Sequence, residues 1–419
     1  MGQMFLLEWL QHKHSTILFT VIGLLLVGAI GYYEYSLYQQ TQVADETAAE
    51  WYPGMLALVK KTRDKKALYK KFPDVLLAVK EQHALATHNA AAEQKAVTPS
   101  FVDFTHYFSP IIRGQHAEQL GFVAGEVQAT RHELMYLQKN HITAMFPIAF
   151  LANPKTAESV NPPLALAPII PIMTTSYYEN GWYQVWDWFR TGGIIFGLIT
   201  INLAFGTGVA EELQNGAQRL RFLRLHQVNW WRLVTTRWLS LIAIPIVSLV
   251  AATGLFLGYS LMRTGLGDLR YPVQHWITGP PWDTLFNDVR LREAMNYFAP
   301  LRIELMPLSQ YLLLAGALLL AIICLNAAII LLVSRIVKQP LVTQVLSALW
   351  PFLIFLPINA HNPFSYLNID TSATNYIATV VDTTQTLYWP ILGSIFLAAL
   401  LILGVVILWR PAVAKGVRK

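Results

Sequence analysis

The chain has 419 residues, 54% of them hydrophobic and 13% charged, a balance too apolar for a soluble protein of ordinary makeup. Its net charge of +6 does not call for a nucleic acid, because the terminal Arg410, Lys415, Arg418 and Lys419 follow directly on a hydrophobic run, where basic residues flank a membrane. The single cysteine, Cys324, lies inside an apolar run, which excludes an intrachain disulfide.

In chain order, residues 1–14 place Phe5 with Trp9 and Leu6 with Leu10 at helical spacing, while Glu8, Gln11 and Lys13 are polar. That pattern predicts an amphipathic helix lying in the membrane interface. Residues 15–33 are apolar over about the 20 residues a bilayer core requires and are the first expected span. A cleaved signal peptide is the rival, but its apolar core is shorter, about 7 to 15 residues. Residues 34–187 lack a comparable run and turn to Ala, Lys, Glu, Gln and His, so an extracytoplasmic domain is expected there. Its strong helix formers, and the apolar Leu120, Val123, Val127, Leu134 and Leu137, predict several packed helices. Pro154, Pro162, Pro163, Pro168 and Pro171 forbid regular helix before the return to the membrane, where Trp182, Tyr183, Trp186 and Trp188 suit an interfacial belt.

Further spans are expected over 188–208, 232–262, 311–334, 341–358 and 387–409, six in all. Pro245 should kink the third. The fifth is the shortest and contains Pro351 and Pro357, which leaves a re-entrant segment open over 341–386. Residues 263–310 and 359–386 read as extracytoplasmic loops, the former with a short helix around Asp288 to Tyr297, and 410–419 as a cytoplasmic tail. With six spans, Lys13, the arginines between spans two and three, Arg335 with Lys338, and the basic tail fall on one side, which makes both termini cytoplasmic. The expected class is an all-α membrane protein of the plasma membrane, with six transmembrane helices and a large, mostly helical extracytoplasmic domain between helices 1 and 2.

Residues 209–231 stand apart. They are too charged to sit in lipid and too short to be a domain, so they should lie at the membrane surface as a cytoplasmic helix. Glu211 and Glu212 lead, Gly216 follows, then Arg219, Leu220, Leu223, Arg224 and Leu225, with Arg232 and Arg237 opening the next span. This spacing resembles the cytoplasmic loop of ABC-2 type transporter permeases, the integral-membrane subunits of bacterial ABC exporters. The usual Pro of that pattern falls on His226 and the usual Lys on Arg237. The resemblance extends to the six-span plan, the interfacial N-terminal helix and the NPFSYLN stretch ending at Asn368, but not to the large outer domain. It implies that Glu211, Glu212, Gly216, Arg219, Leu220, Leu223, Arg224 and Arg237 couple the chain to a separate ABC ATPase subunit. It also implies a second permease subunit, ATP and Mg on the ATPase alone, and a lipid, peptide or drug as cargo.

Other chemistry is not indicated. No Gly-Lys dipeptide occurs, so the chain has no phosphate-binding loop of its own. His132 and Glu133 begin an HExxH pattern, but Tyr136 stands where the second histidine belongs; Glu211 and Glu212 begin an EExxxR protease pattern, but Gly216 stands where the arginine belongs. His83, His88, His106, His116, His132 and His141 have no spacing that forces metal ligands together and read as solvated helix faces. A carboxylate at Glu212 could serve the helix dipole alone, and Arg219, Arg221 and Arg224 could simply hold anionic headgroups. Asn326, deep in the fourth span, suits an interhelical hydrogen bond better than substrate contact. No catalytic residue, metal or cofactor is expected on this chain. The alternative is a membrane-anchored sensor or scaffold whose outer domain binds a ligand or partner.

Overall fold

A computed structural model describes residues 16–61, 73–98, 124–148, 176–214, 229–277, 302–381, 383 and 385–409. The expected interfacial helix at 1–14, the tail at 410–419, the helix around Asp288 to Tyr297, and His106 and His116 lie outside them. The chain divides into two compact units. The first comprises Met1–Ile30, Val185–Arg263 and Gln310–Lys419; the second comprises Gly31–Gln184 and Thr264–Ser309.

Among the described residues, five helices are long and apolar enough to cross a membrane: Thr16–Ala49, Gly193–Gln214, Trp230–Arg263, Leu308–Val337 and Tyr388–Leu408. The chain is therefore a multi-pass membrane protein. The segment expected as the fifth span, 341–358, forms only a short apolar helix, Pro340–Phe355. Pro340 starts it at a first-turn position, the α-helix ends at Leu349, and a 3-10 turn containing Pro351 replaces it. Proline has no N–H to continue the α ladder, so the run stops short of about 20 residues.

In the first unit, α1 (Thr16–Lys61) sets Leu18 and Val21 against Ile201 of α6 (Gly193–Phe205) and Ile244 of α7 (Trp230–Arg263). Pro245 lies inside α7, which runs unbroken through it. A second cluster joins Leu233, Val234 and Leu241 of α7 to Ala327, Ile330 and Leu331 of α8 (Leu308–Val337) and to Leu403 and Val406 of α12 (Tyr388–Leu408). The short α9 (Pro340–Leu349) buries Thr343, Ser347 and Ala348. Two small helices, α10 (Ile369–Ala373) and α11 (Ile377–Val380), lead to α12. Between α5 (Gly181–Thr191) and α6, Gly192 has φ +78°, and a Cβ there would lie 2.5 Å from the Phe355 ring, so the chain needs glycine at this junction. Two of the tryptophans expected in an interfacial belt make ring contacts within this unit: Trp186 faces Tyr311 at 6.0 Å and Trp188 faces Phe256 at 4.6 Å.

The second unit is mostly helical, and a small sheet within it departs from the all-α class expected for the chain. It contains α2 (Pro73–Ala86), α3 (90–98), α4 (Ala124–Lys139) and a two-stranded antiparallel sheet, β1 (Pro272–Ile277) with β2 (Arg302–Pro307). The register runs from Pro272↔Pro307 to Ile277↔Arg302. Both prolines sit at the end of the ladder, where a missing N–H costs least. The region read as a loop at 263–310 thus pairs its two ends and joins the region read as the outer domain in one unit. The first helix does not stop near residue 33; α1 continues through Lys61, because GluThrAlaAlaGlu and the following Leu and Ala residues keep helix-forming character after the apolar run ends. Ala44 and Ala48 of α1 pack with Leu85 and Phe146.

Candidate coupling site

The polar stretch after the second span is described at both ends, and each end is built into the first unit. Helix α6 closes at Gly206, whose N–H donates to the Asn202 carbonyl at 2.7 Å. Gly208 follows in the left-handed region at φ +58°, and a Cβ there would meet Ser334 Oγ at 2.7 Å. This close approach lets the Val209 N–H donate to Ser334 Oγ at 3.1 Å. Val209, Ala210 and Leu213 are buried, so the turn is packed against α8 before the chain reaches Glu212.

Glu212 is 1% exposed and forms an ion pair with Arg237 of α7, whose Nη2 donates to Glu212 Oε1. The second oxygen, Oε2, has no hydrogen-bond partner among the described residues. Taking a carboxylate out of water is costly unless it is paired, so the guanidinium opposite is what permits this burial. Glu211 is half-buried, and Arg232 is exposed and lies 5.4 Å over the Trp231 ring. Trp230 Nε1 donates to the Val406 carbonyl at 3.1 Å, tying the start of α7 to α12. Arg335 Nε donates to the Trp409 carbonyl at 3.2 Å and stacks at 4.8 Å over the Trp409 ring, satisfying a carbonyl at the end of α12. One end of this unit therefore gathers Glu212, Arg237, Ser334, Trp230 and Arg335.

Of the residues singled out for coupling, the structure brings together Glu212 and Arg237. Gly216, Arg219, Leu220, Leu223 and Arg224 lie outside the described residues.

Further along the same helices is a polar junction. Asn326 of α8 and Asn202 of α6 exchange amide hydrogen bonds at 2.8 and 2.9 Å. Asn202 Nδ2 also donates to the Ser347 carbonyl at 2.8 Å, and Trp350 Nε1 donates to Asn326 Oδ1 at 2.8 Å. The expected interhelical role of Asn326 is what the structure has, and its partners were not foreseen. The lone Asn202 inside LITINLAF carries the same signal as Asn326, a strongly polar amide in an apolar span. Two facing amides and two neighbours fix α6, α8 and α9 to one another.

Among the described residues, no group of three or more His, Cys, Asp or Glu is placed to hold a metal. His88 instead pairs with Asp45 at 2.8 Å on the surface. Glu133 does not face a second histidine; it accepts a hydrogen bond from Tyr271 Oη at 3.0 Å. Comparison with protein-family models, with curated proteins and with solved structures gave no match.

Proposed function

We propose that this chain is the permease subunit of an ABC-2 type exporter in the plasma membrane, working with a second permease subunit and driven by a separate ABC ATPase. The observation that carries this reading is the Glu212–Arg237 pair. It joins the two ends of the polar stretch that resembles the family's coupling loop, so a push on residues 215–228 would move α6 and α7 as one body. Glu212, being buried, acts in this proposal as an internal strut and not as a contact with the ATPase. Closure of the ATPase would favour one arrangement of these helices, and the polar junction at Asn202 and Asn326 would hold α8 and α9 to the moving pair. In this scheme both termini lie on the cytoplasmic side, which requires the short Pro340–Phe355 helix together with its flanking residues to carry the chain across once more. The cargo is a lipid, a peptide or a drug.

The size of the second unit supports an alternative, a membrane-anchored sensor or scaffold. The charge-swap test separates the two. Glu212→Arg should abolish export and lower the partner ATPase's stimulation while the protein stays folded in the membrane. Adding Arg237→Glu restores an opposite-charge pair and should recover both activities. Unchanged export in Glu212→Arg would remove the coupling role.

A further inference from the structure

Residues 142–148 of the second unit form an irregular strap, tied to a helix only where the Ile142 N–H donates to the Leu137 carbonyl of α4 at 2.9 Å. Ile142, Ala144, Met145, Phe146 and Ile148 are nevertheless all buried. Buried backbone groups must find partners, and here side chains supply them. Gln94 of α3 grips the strap twice, donating from Nε2 to the Ile142 carbonyl at 3.0 Å and accepting the Ala144 N–H at 3.1 Å. Tyr271 Oη accepts the Met145 N–H at 3.4 Å, Gln40 Nε2 of α1 donates to the Phe146 carbonyl at 2.7 Å, and Glu93 Oε1 accepts the Ile148 N–H at 3.0 Å.

Carboxyl groups stand behind these grips. Glu93, 2% exposed, acts directly, and its Oε2 is buried with no hydrogen-bond partner among the described residues. Glu133 of α4 accepts from the Tyr271 hydroxyl, and Glu179 accepts from Gln40 at 3.0 Å. The charged groups facing Glu93 are Glu81 from α2 and Glu179 from the segment before α5, both acidic. No Lys, Arg or His forms an ion pair with it among the described residues, and Lys95 on its own helix is exposed. An ionised Glu93 would therefore be a buried charge with two carboxylates beside it and no counterion among the described residues.

We propose that the 142–148 strap is a proton-controlled latch: protonated Glu93 keeps it seated, and loss of that proton to solvent releases it. The direction of titration agrees. Burial pushes Glu93 up to about 8, with Glu81 and Glu179 adding to the rise and the Ile148 N–H opposing it. Burial likewise raises Glu81 to about 7, and raises Glu179 against the pull of its Gln40 bond. A group raised in the folded state stabilises it below the ordinary carboxylate range and loses that contribution as pH climbs through the raised value. The latch is thus closed in acid and opens in mild alkali.

Hydrogen exchange of the full-length chain in lipid nanodiscs at pH 6.0 and 8.5, each rate divided by the unstructured rate at that pH, tests this. Protection of the Ala144, Met145 and Ile148 amides should fall between about ten- and a hundredfold at the higher pH, since one proton changes a local opening constant by at most about tenfold per pH unit. The amides of 134–139 in α4 should change far less. Glu93→Gln keeps an oxygen acceptor and cannot ionise, so its strap protection should fall several-fold less than the wild type's across the same range. Equal protection of the wild-type strap at both pH values would overturn the proposal even if the variant fails to fold. An equal loss in Glu93→Gln would overturn it as well.

Discussion

Replacing Glu212 by Gln removes one carboxylate from the Arg237 guanidinium, at a side chain only 17% exposed; Arg237→Gln leaves a carboxylate that is 2% exposed without this cation. Breaking a buried pair from one side costs about 3 to 5 kcal/mol, because the remaining charge keeps its desolvation penalty and loses its compensation. For a folded unit of about 150–250 residues, that corresponds to a loss of about 6–20 °C in the melting temperature. Removing both charges is different. The doubly neutral site has no stranded ion, and its loss should be only about 1 to 2 kcal/mol, far below the sum of the singles. The cycle of wild type, Glu212→Gln, Arg237→Gln and the double variant, followed by thermal unfolding in nanodiscs, reads this coupling directly. Single effects that add within about 0.5 kcal/mol would refute it, because residues that do not interact behave in that way.

Asn202→Leu and Asn326→Leu should each destabilise the membrane unit by about 1 kcal/mol, since each has one bond beyond the shared pair, to the Ser347 carbonyl and from Trp350; the double variant should fall short of their sum in the same unfolding assay. Gly208→Ala should cost at least about 1–2 kcal/mol, because φ +58° disfavours a side chain and Ser334 occupies its space. Gly316→Ala, in open space on α8, should be neutral or stabilising by up to about 1 kcal/mol. Burial raises Glu133 to about 7 despite its bond from Tyr271, so its contribution to the second unit is present below the ordinary carboxylate range and lost as pH rises through about 7. Glu133→Gln should flatten that part of the melting-temperature profile between pH 5 and 8.

The apolar runs of the long spans were legible because lipid imposes a length and a composition on each crossing. Helix α1 was legible only to residue 33, since its polar continuation to Lys61 is held by propensity and packing rather than by an apolar run. The two strands were not legible. PVQHWI and RIELMP are six residues each and meet across 24 intervening positions, and nothing local announces that pairing. Glu212 and Arg237 both stood out in the sequence, yet their contact spans 25 positions and depends on the Gly206–Val209 turn bringing the chain back onto α8. Asn326 announced a hydrogen bond but not its partner, because the facing helix is chosen by packing. Glu93, Gln94 and Gln40 look like ordinary solvated residues on polar helices; only the course of 142–148 makes them a set of backbone partners.

The most direct test of the permease reading is purification of the tagged chain from its native cells in mild detergent, with mass spectrometry of what accompanies it. A stoichiometric ATPase with a phosphate-binding loop is the predicted result. Repeated recovery at native expression with no such ATPase would contradict it and turn attention to the second unit as a sensor.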